Sequence, residues 1–282
     1  MGVSNYKLSA ATLAQGRPQD YELSILTGMD SFAYILRDRT HNQLLAYRSY
    51  DFDAADRADW PAALTQLVET DILLADVRYG KTVVGWSAPV MTLVPNPLYD
   101  PEEATAYLEA LTVIGLHHEV RTQTVQELDA TLIFATSRDH LSLAENLFGG
   151  PAAQHPTAGL LTVWAARSRR LGHASVSCTV RGGRLFLAGH RNGALEYYNS
   201  FPYGGIQDAV YYLLLTYEQA GCAPTRDPLY LSGEILTAGE LYKQFYRYVE
   251  DIRFSQYGAP PAPVAELADL PPHLYFDLLC LG

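Results

Sequence analysis

Residues 175–188 read SVSCTVRGGRLFLA, and the fold assignment depends on the pattern they hold. Two apolar runs flank the pair Gly182-Gly183. Because glycine adopts positive φ freely, that pair predicts a two-residue turn between antiparallel strands. Asn192-Gly193 is a second strong hairpin signal, after which Leu195–Asn199 pairs back. This part of the chain is therefore predicted to form a three-stranded meander.

The elements predicted after this meander also occur, in the same order, near the start of the chain. Apolar residues at helical spacing predict a helix over Gly205–Ala220, before a strand at Leu229–Ser232 and a helix at Gly239–Val249. The earlier copy comprises strands within Tyr21–Leu36, broken at Gly28, a strand at Leu44–Tyr50, a helix from Trp60 to Val77 and a strand at Thr82–Trp86.

The repeated order predicts an α/β fold with two similar subdomains. Each subdomain has a three-strand meander plus further strands with helices, and the copies start about 150 residues apart. We place an N-terminal arm at residues 1–20, the first subdomain at 21–156 and the second at 157–282. A single mixed α/β domain in which meanders recur remains the alternative.

Composition narrows the functional classes. The 282 residues are 48% hydrophobic and carry a formal net charge of −11, which disfavours disorder and nucleic-acid binding. No apolar run approaches the roughly 20 residues of a membrane helix, and the N-terminus lacks a signal pattern. The widely spaced Cys178, Cys222 and Cys280 indicate buried free thiols. A cytoplasmic location is therefore expected.

Three short stretches carry a family resemblance: LSILTGMDSF at residues 23–32, MTLVP at 91–95 and YFDLLC at 275–280. They resemble the Bacteroidetes domain-of-unknown-function family 3822, and this resemblance implies an actin-like ATPase fold. The duplicated unit likewise resembles the actin-like superfamily of sugar kinases, Hsp70 and actin. The resemblance implies two actin-like (ribonuclease H-like) subdomains flanking a nucleotide cleft, but no established activity.

Active members of that superfamily carry Asp-x-Gly at each of two phosphate hairpins. The carboxylate holds magnesium through water, and the glycine lets backbone amides approach phosphate. The first matching stretch here is Leu26-Thr27-Gly28, and the second is Val180-Arg181-Gly182-Gly183. The resemblance therefore implies a cleft in which Leu26 and Val180 replace both acids.

No catalytic residue, metal site or cofactor is expected. ATP and magnesium would bind only under the alternative hypothesis of a divergent ATPase or phosphotransferase. Arg181 fits either an anion contact or a solvated hairpin arginine. Gly233, which ends the apolar strand before Glu234, matches in outline the motif with which the superfamily binds adenosine. If the cleft binds nucleotide, its binding residues are expected to be Gly28, Asp30, Ser31, Gly182, Gly183 and Gly233.

Two functional hypotheses follow. The first is a non-catalytic partner-binding or scaffold module, similar to the actin-like proteins of pilus assembly and secretion. The second is a divergent magnesium-dependent ATPase or phosphotransferase in which Asp30 or Glu234 takes the acidic role. The first predicts that Leu26 and Val180 are buried. It also predicts that Asp30 is exposed, with no acidic group facing it across the cleft.

Overall fold

The structure is a computed structural model that describes residues 3–9, 17–75, 77–150 and 152–281. Its strands are β1 Val3–Ser9, β2 Tyr21–Thr27, β3 Ser31–Asp38, β4 Gln43–Asp51, β5 Lys81–Trp86, β6 Val90–Pro95, β7 His118–Val125, β8 Ala130–Ser137, β9 Ser175–Arg181, β10 Arg184–Arg191, β11 Ala194–Pro202, β12 Leu229–Gly233, β13 Ile252–Phe254 and β14 Ala262–Pro263. Its α-helices are α1 Ala54–Ala58, α2 Trp60–Thr70, α3 Ala104–Glu109, α4 Arg138–Leu147, α5 Pro156–Leu171, α6 Ile206–Gln219, α7 Glu240–Phe245 and α8 Phe276–Leu279.

Two sheets repeat one topology. In the first, β2, β3 and β4 form an antiparallel meander and β5 pairs parallel to β2. In the second, β9, β10 and β11 form the meander and β12 pairs parallel to β9. The Gly182-Gly183 turn has φ values of 54° and 69°, as a tight hairpin between twisted strands requires. The duplicated meander predicted from the sequence is confirmed.

Other parts of the architecture differ from the prediction. β1 pairs antiparallel with β4, although residues before position 20 were expected to be irregular. A third sheet has the order β6-β8-β7, and its strand β7 was not predicted from the sequence. The predicted helix Gly239–Val249 is helical only over Glu240–Phe245. The division into residues 21–156 and 157–282 stays a prediction.

Both faces of the first sheet are buried, which explains its nearly continuous apolar strands. Ile25 and Tyr34 point to the core beneath α2 and α4, whereas Leu26 and Ile35 point to the opposite face. That opposite face is covered by C-terminal side chains that include Leu274 and Leu278.

The C-terminal segment also reaches the second sheet. Phe276 and Cys280 pack with side chains of α5 and β10, including Trp164 and Phe186. The tail, predicted to dock as a closing strand or helix, is helical at α8. It joins the two repeated sheets at the level of their hairpins.

The three cysteines are free and buried, as predicted. In the ranges that the structure describes, no helix has both the length and the apolar character needed to cross a membrane.

Candidate functional site: the cleft between the two hairpins

The turn after β2 and the turn after β9 meet between the repeated sheets. The cavity beside them, which we call the hairpin cleft, has a volume of about 600 Å³. Its lining comprises Asp30, Asp51, Phe52, Arg57, Val180, Gly182, Gly183, Pro202, Tyr203 and Glu234. A volume of this size is within the range of small-molecule sites.

The first hairpin is held by its own half of the protein. The Gly28 amide donates to the Ser31 carbonyl at 3.1 Å, which closes the turn. The Gly28 carbonyl accepts from the Trp60 indole Nε1 at 2.9 Å. Trp60 is the first residue of α2 and is fully buried against Trp86. The turn is therefore fixed by α2 and the core beneath it.

The two hairpins touch directly. Gly182 lies so close to Ser31 that a Cβ added there would overlap the serine hydroxyl and lie 2.9 Å from Ser31 Cβ. The space left between the turns, bordered by Leu26, Ser31, Arg181 and Gly182 among others, is only about 50 Å³. Such a space has room for only a few water molecules, each of which needs about 10–15 Å³ of cavity volume. A nucleotide phosphate with hydrated magnesium does not fit there.

Arg181 is the centre of the contacts that close this region. Its guanidinium forms a two-pronged ion pair with Asp277, through Nε–Oδ2 at 2.8 Å and Nη2–Oδ1 at 2.7 Å. Its Nη1 donates to Glu234 Oε1 at 2.7 Å, and its Nη2 also donates to the Leu274 carbonyl at 2.8 Å. Bidentate arginine–carboxylate pairs are among the strongest polar contacts in proteins. Arg181 therefore ties the second hairpin to the C-terminal segment.

Glu234 completes the network. Its Oε1 accepts from Ser49 Oγ at 2.7 Å, and its Oε2 accepts from the Gly182 amide at 3.0 Å. Ser49 belongs to β4 of the first sheet, so Glu234 links the two halves. The Gly182 amide is the kind of backbone donor that phosphate contacts in active superfamily members. Here the donor already binds a carboxylate of the protein itself.

The charges of this network are mutually stabilised. Burial lowers the pKa of Arg181, but the nearby carboxylates of Asp277 and Glu234 more than offset this and hold it well above the usual value. Burial alone raises the pKa of Glu234, whereas the charge of Arg181 and hydrogen bonds from Ser49 and Gly182 lower it overall. The Glu234 carboxylate is therefore ionised and engaged at neutral pH.

The positions that replace the two acids behave as predicted. Leu26 is 3% exposed and Val180 is 2% exposed, each packed in a hydrophobic cluster. An apolar side chain at such a position cannot bind the water shell of magnesium. Asp30 is exposed, with 53% of its side chain accessible and Arg57 Nη1 at 3.8 Å from its Oδ1.

One prediction about the cleft is wrong. We expected no acidic group across from Asp30, but Glu234 of the second half lines the same cavity, whereas Asp51 lies beside Asp30 on the first sheet. The reason is the buried Arg181, whose charge stabilises Glu234 at the inner wall. In the part of the chain that the structure describes, no three His, Cys, Asp or Glu side chains come together as a metal ion would require.

The other predicted nucleotide-binding residues have structural roles. Gly233 has φ of 79°, and a Cβ there would overlap the Val180 carbonyl oxygen. The Glu234 amide donates to that same carbonyl at 2.7 Å, which fixes the end of β12 against β9. Gly183 accepts from the Tyr203 amide at 3.0 Å through its carbonyl. These contacts account for the glycines without a bound nucleotide, and nucleotide binding by them stays a prediction of the alternative hypothesis.

The Arg181–Glu234–Asp277 network was not predicted from the sequence. The interpretation of Arg181 as a solvated hairpin residue is wrong, because the side chain is buried. One signal was available: Asp277 is the only charge in the apolar stretch Tyr275–Cys280, and such a charge is buried only when paired. Its partner, 96 residues away, has no local signature.

Comparison with known proteins identifies the fold. Residues 10–252 match the family described as Protein of unknown function (DUF3822). A Bacteroides thetaiotaomicron protein with an actin-like ATPase fold and unknown function aligns with 84% of this chain and 91% of its own, at a TM-score of 0.72 and 17% identity. The PilM-PilN type IV pilus biogenesis complex aligns over 92% of this chain and 97% of the matched one, at a TM-score of 0.61 and 14% identity. No curated relative matches in sequence. The fold is therefore the actin-like ATPase fold, as the resemblance implied.

Proposed function

This chain belongs to the family described as Protein of unknown function (DUF3822), and on that premise we propose that it is a non-catalytic, partner-binding protein. The fold serves as a rigid scaffold, and neither nucleotide nor magnesium is needed for its role. The partner is a protein, since a net charge of −11 opposes binding to nucleic acid.

The observation that carries this proposal is the closure of the hairpins. Ser31 contacts Gly182, and Glu234 binds the Gly182 amide. The space between the turns, at the level of Leu26, is about 50 Å³. Separating the turns would break the hydrogen bonds that Ser49 and Tyr47 of β4 form with Glu234 and Arg181. Hydrogen bonds to a charged group contribute about 1.5–3 kcal/mol each. A catalytic cycle would have to meet that cost each time nucleotide entered.

One structural neighbour supports the proposed binding role. The PilM chain shares this fold and was solved as a complex with PilN. At 14% identity that likeness concerns the fold, but it shows that a chain of this architecture can bind another protein. Because its three thiols are free and buried, we propose the reducing cytoplasm as the compartment.

Affinity isolation from native lysate tests the proposal. The tagged chain is incubated with magnesium-ATP in one arm and with a nucleotide-degrading enzyme in the other. We expect one stoichiometric protein partner, recovered equally in both arms and equally by Asp30→Ala. Absence of any partner together with steady phosphate release by the purified chain would refute the proposal. Recovery that depends on magnesium-ATP would refute it as well.

A second candidate function rests on a specific observation. Asp30, Asp51 and Glu234 all line the 600 Å³ hairpin cleft. Phosphoryl transfer depends on metal and positioning more than on covalent protein chemistry. A divergent magnesium-dependent ATPase or phosphotransferase would use Asp30 or Glu234 as the relocated acid beside Gly182 and Gly183.

A further inference from the structure

β6 and β11 are both edge strands of their sheets. β6 pairs with β8 on one side, and β11 pairs with β10 on one side. In the ranges that the structure describes, neither strand pairs with anything further. An edge strand presents a row of unpaired N–H and C=O groups, which is a template for one more strand.

Both edges open onto the same groove. Two adjoining cavities of about 350 and 550 Å³ share Leu93 of β6 and Leu195 of β11. The consecutive residues 91–93 and 195–199 line the first cavity. Side chains of a strand alternate between its two faces, so a cavity that contacts one face would be lined by every second residue. Because consecutive residues line this cavity, the backbone edge of each strand borders it. We call this space, between residues 91–95 and 193–199, the edge groove.

The floor of the edge groove is apolar and firmly held. Leu93, Leu195 and Tyr198 pack against the core cluster around α5. The Tyr198 hydroxyl forms a hydrogen bond of 2.5 Å with Thr157 Oγ1, which fixes the ring. At the rim, Leu111 is 65% exposed. Such a floor accepts apolar side chains of an added strand.

The rim of the edge groove is acidic. Glu127 pairs with Arg169, and both line the groove together with Asp129. Glu196 stands at a bulge in the pairing of β11 with β10, which turns its exposed side chain out of the ladder. Glu196 contacts Arg191 at 3.5 Å, and Asp129 accepts a hydrogen bond from Asn96 Nδ2 at 2.8 Å. Three carboxylates therefore face two arginines at this rim, which leaves one net negative charge.

We infer that the edge groove binds an extended segment of the partner protein, which adds a β-strand beside β11. The segment alternates apolar residues, directed to the floor, with basic residues at the acidic rim. This inference rests on the proposed partner-binding function. A second copy of this chain fits poorly, because its own net charge of −11 would face the acidic rim. Residues 193–199 extend over about 20 Å, so the bound segment has about five to seven residues.

Hydrogen exchange with defined peptides tests the inference. The probe is a blocked heptapeptide that alternates lysine and valine. The controls are the same peptide with glutamate for lysine and one with proline at its centre, which cannot complete a strand. We expect the lysine–valine peptide to slow exchange at residues 195–199, and the two controls to have no effect. Unchanged exchange there at millimolar probe, or equal protection by the proline peptide, would overturn the inference.

Matched variants locate the site. We expect Leu111→Lys combined with Glu196→Lys to weaken probe binding at least about fivefold, through lost apolar contact and reversed charge. Ile72→Lys, at a 77% exposed residue outside the groove, should bind as the wild type does. Equal binding by all three chains would overturn the inference. So would protection of residues 195–199 that rises with protein concentration in the absence of peptide, since the occupant would then be a second copy.

The same variants separate this inference from the proposed function. If the wild type and the double variant recover a stoichiometric partner from lysate equally, the inference about the edge groove is wrong but the proposed function stands. If the wild type recovers none and the purified chain turns over nucleotide, the proposed function fails. If the wild type and Ile72→Lys recover the partner and only the double variant does not, the result supports both the edge groove and the proposed function.

Discussion

Replacing Glu234 by alanine should destabilise the protein substantially at neutral pH. The substitution removes hydrogen bonds from Ser49 at 2.7 Å, Arg181 at 2.7 Å and the Gly182 amide at 3.0 Å. Arg181 keeps its two contacts with Asp277, so its charge is not left unpaired. Hydrogen bonds to a charged group contribute about 1.5–3 kcal/mol each and are not additive. We therefore expect the free energy of unfolding to fall by about 3 kcal/mol.

Urea denaturation at pH 7 and at pH 3.5 measures this effect. The folded-state pKa of Glu234 is lowered, so its ionised carboxylate stabilises the protein above the ordinary value of 4.5. That stabilisation is lost as pH falls below 4.5 toward the folded-state value. The difference between wild type and Glu234→Ala should therefore be largest at pH 7 and smaller at pH 3.5.

Asp30→Ala is the matched control, because it also removes a carboxylate from the hairpin cleft. Asp30 is exposed, and we expect a change below about 0.5 kcal/mol. Equal effects of the two substitutions would refute the reasoning that Glu234 is a structural anion. A Glu234→Ala chain as stable as the wild type would refute it too.

Three further predictions concern the glycine beside Glu234, the buried histidines and the missing acid. Gly233→Ala should cost more than about 2 kcal/mol in urea denaturation, since its Cβ would overlap a backbone carbonyl at positive φ, whereas Gly205→Ala at an open position should cost under about 1 kcal/mol. Burial lowers the pKa of His155 and of His190 to about 4, so stability should fall as pH drops from about 6.5 to about 4 while the unfolded chain takes up protons. The lowered pKa of each histidine accounts for up to about 3 kcal/mol of this fall in the free energy of unfolding. The His190→Leu chain should therefore lose less stability than the wild type between pH 7 and pH 5, and an equal loss in the two chains would contradict this. Leu26→Asp restores the acid of the first hairpin, yet it should destabilise the protein by about 3–5 kcal/mol without creating magnesium-dependent ATP binding, because the side chain is buried among apolar groups; a calorimetric titration that detects such binding would show that the hairpins can open.

Local patterns in the sequence predict most of the repeated fold. The glycine pair at 182–183 and the pair Asn192-Gly193 specify their hairpins through positive φ, and the structure has positive φ at all four positions. β7 was not predicted because it is half exposed and mostly polar. Its formation depends on pairing with β8. Such a strand has no apolar alternation that a single sequence could reveal.

The candidate site was predicted only in part. The replacement of both acids by Leu26 and Val180 is visible in the sequence, and their burial follows from the surrounding strands. The ion pair between Arg181 and Asp277 joins residues that are 96 positions apart. Only tertiary packing brings the C-terminal segment to the second hairpin, so no local pattern indicates it.

Nucleotide binding by the purified chain tests the central claim most directly. Its free energy of unfolding is measured by urea denaturation with and without millimolar ATP and magnesium, and with ATP alone. Because the hairpins are closed and the Gly182 amide is engaged by Glu234, we predict no magnesium-dependent change. A ligand at a hundred times its Kd would stabilise the folded state by about 2.7 kcal/mol. Magnesium-dependent stabilisation of that size would contradict the non-catalytic account and favour the divergent ATPase.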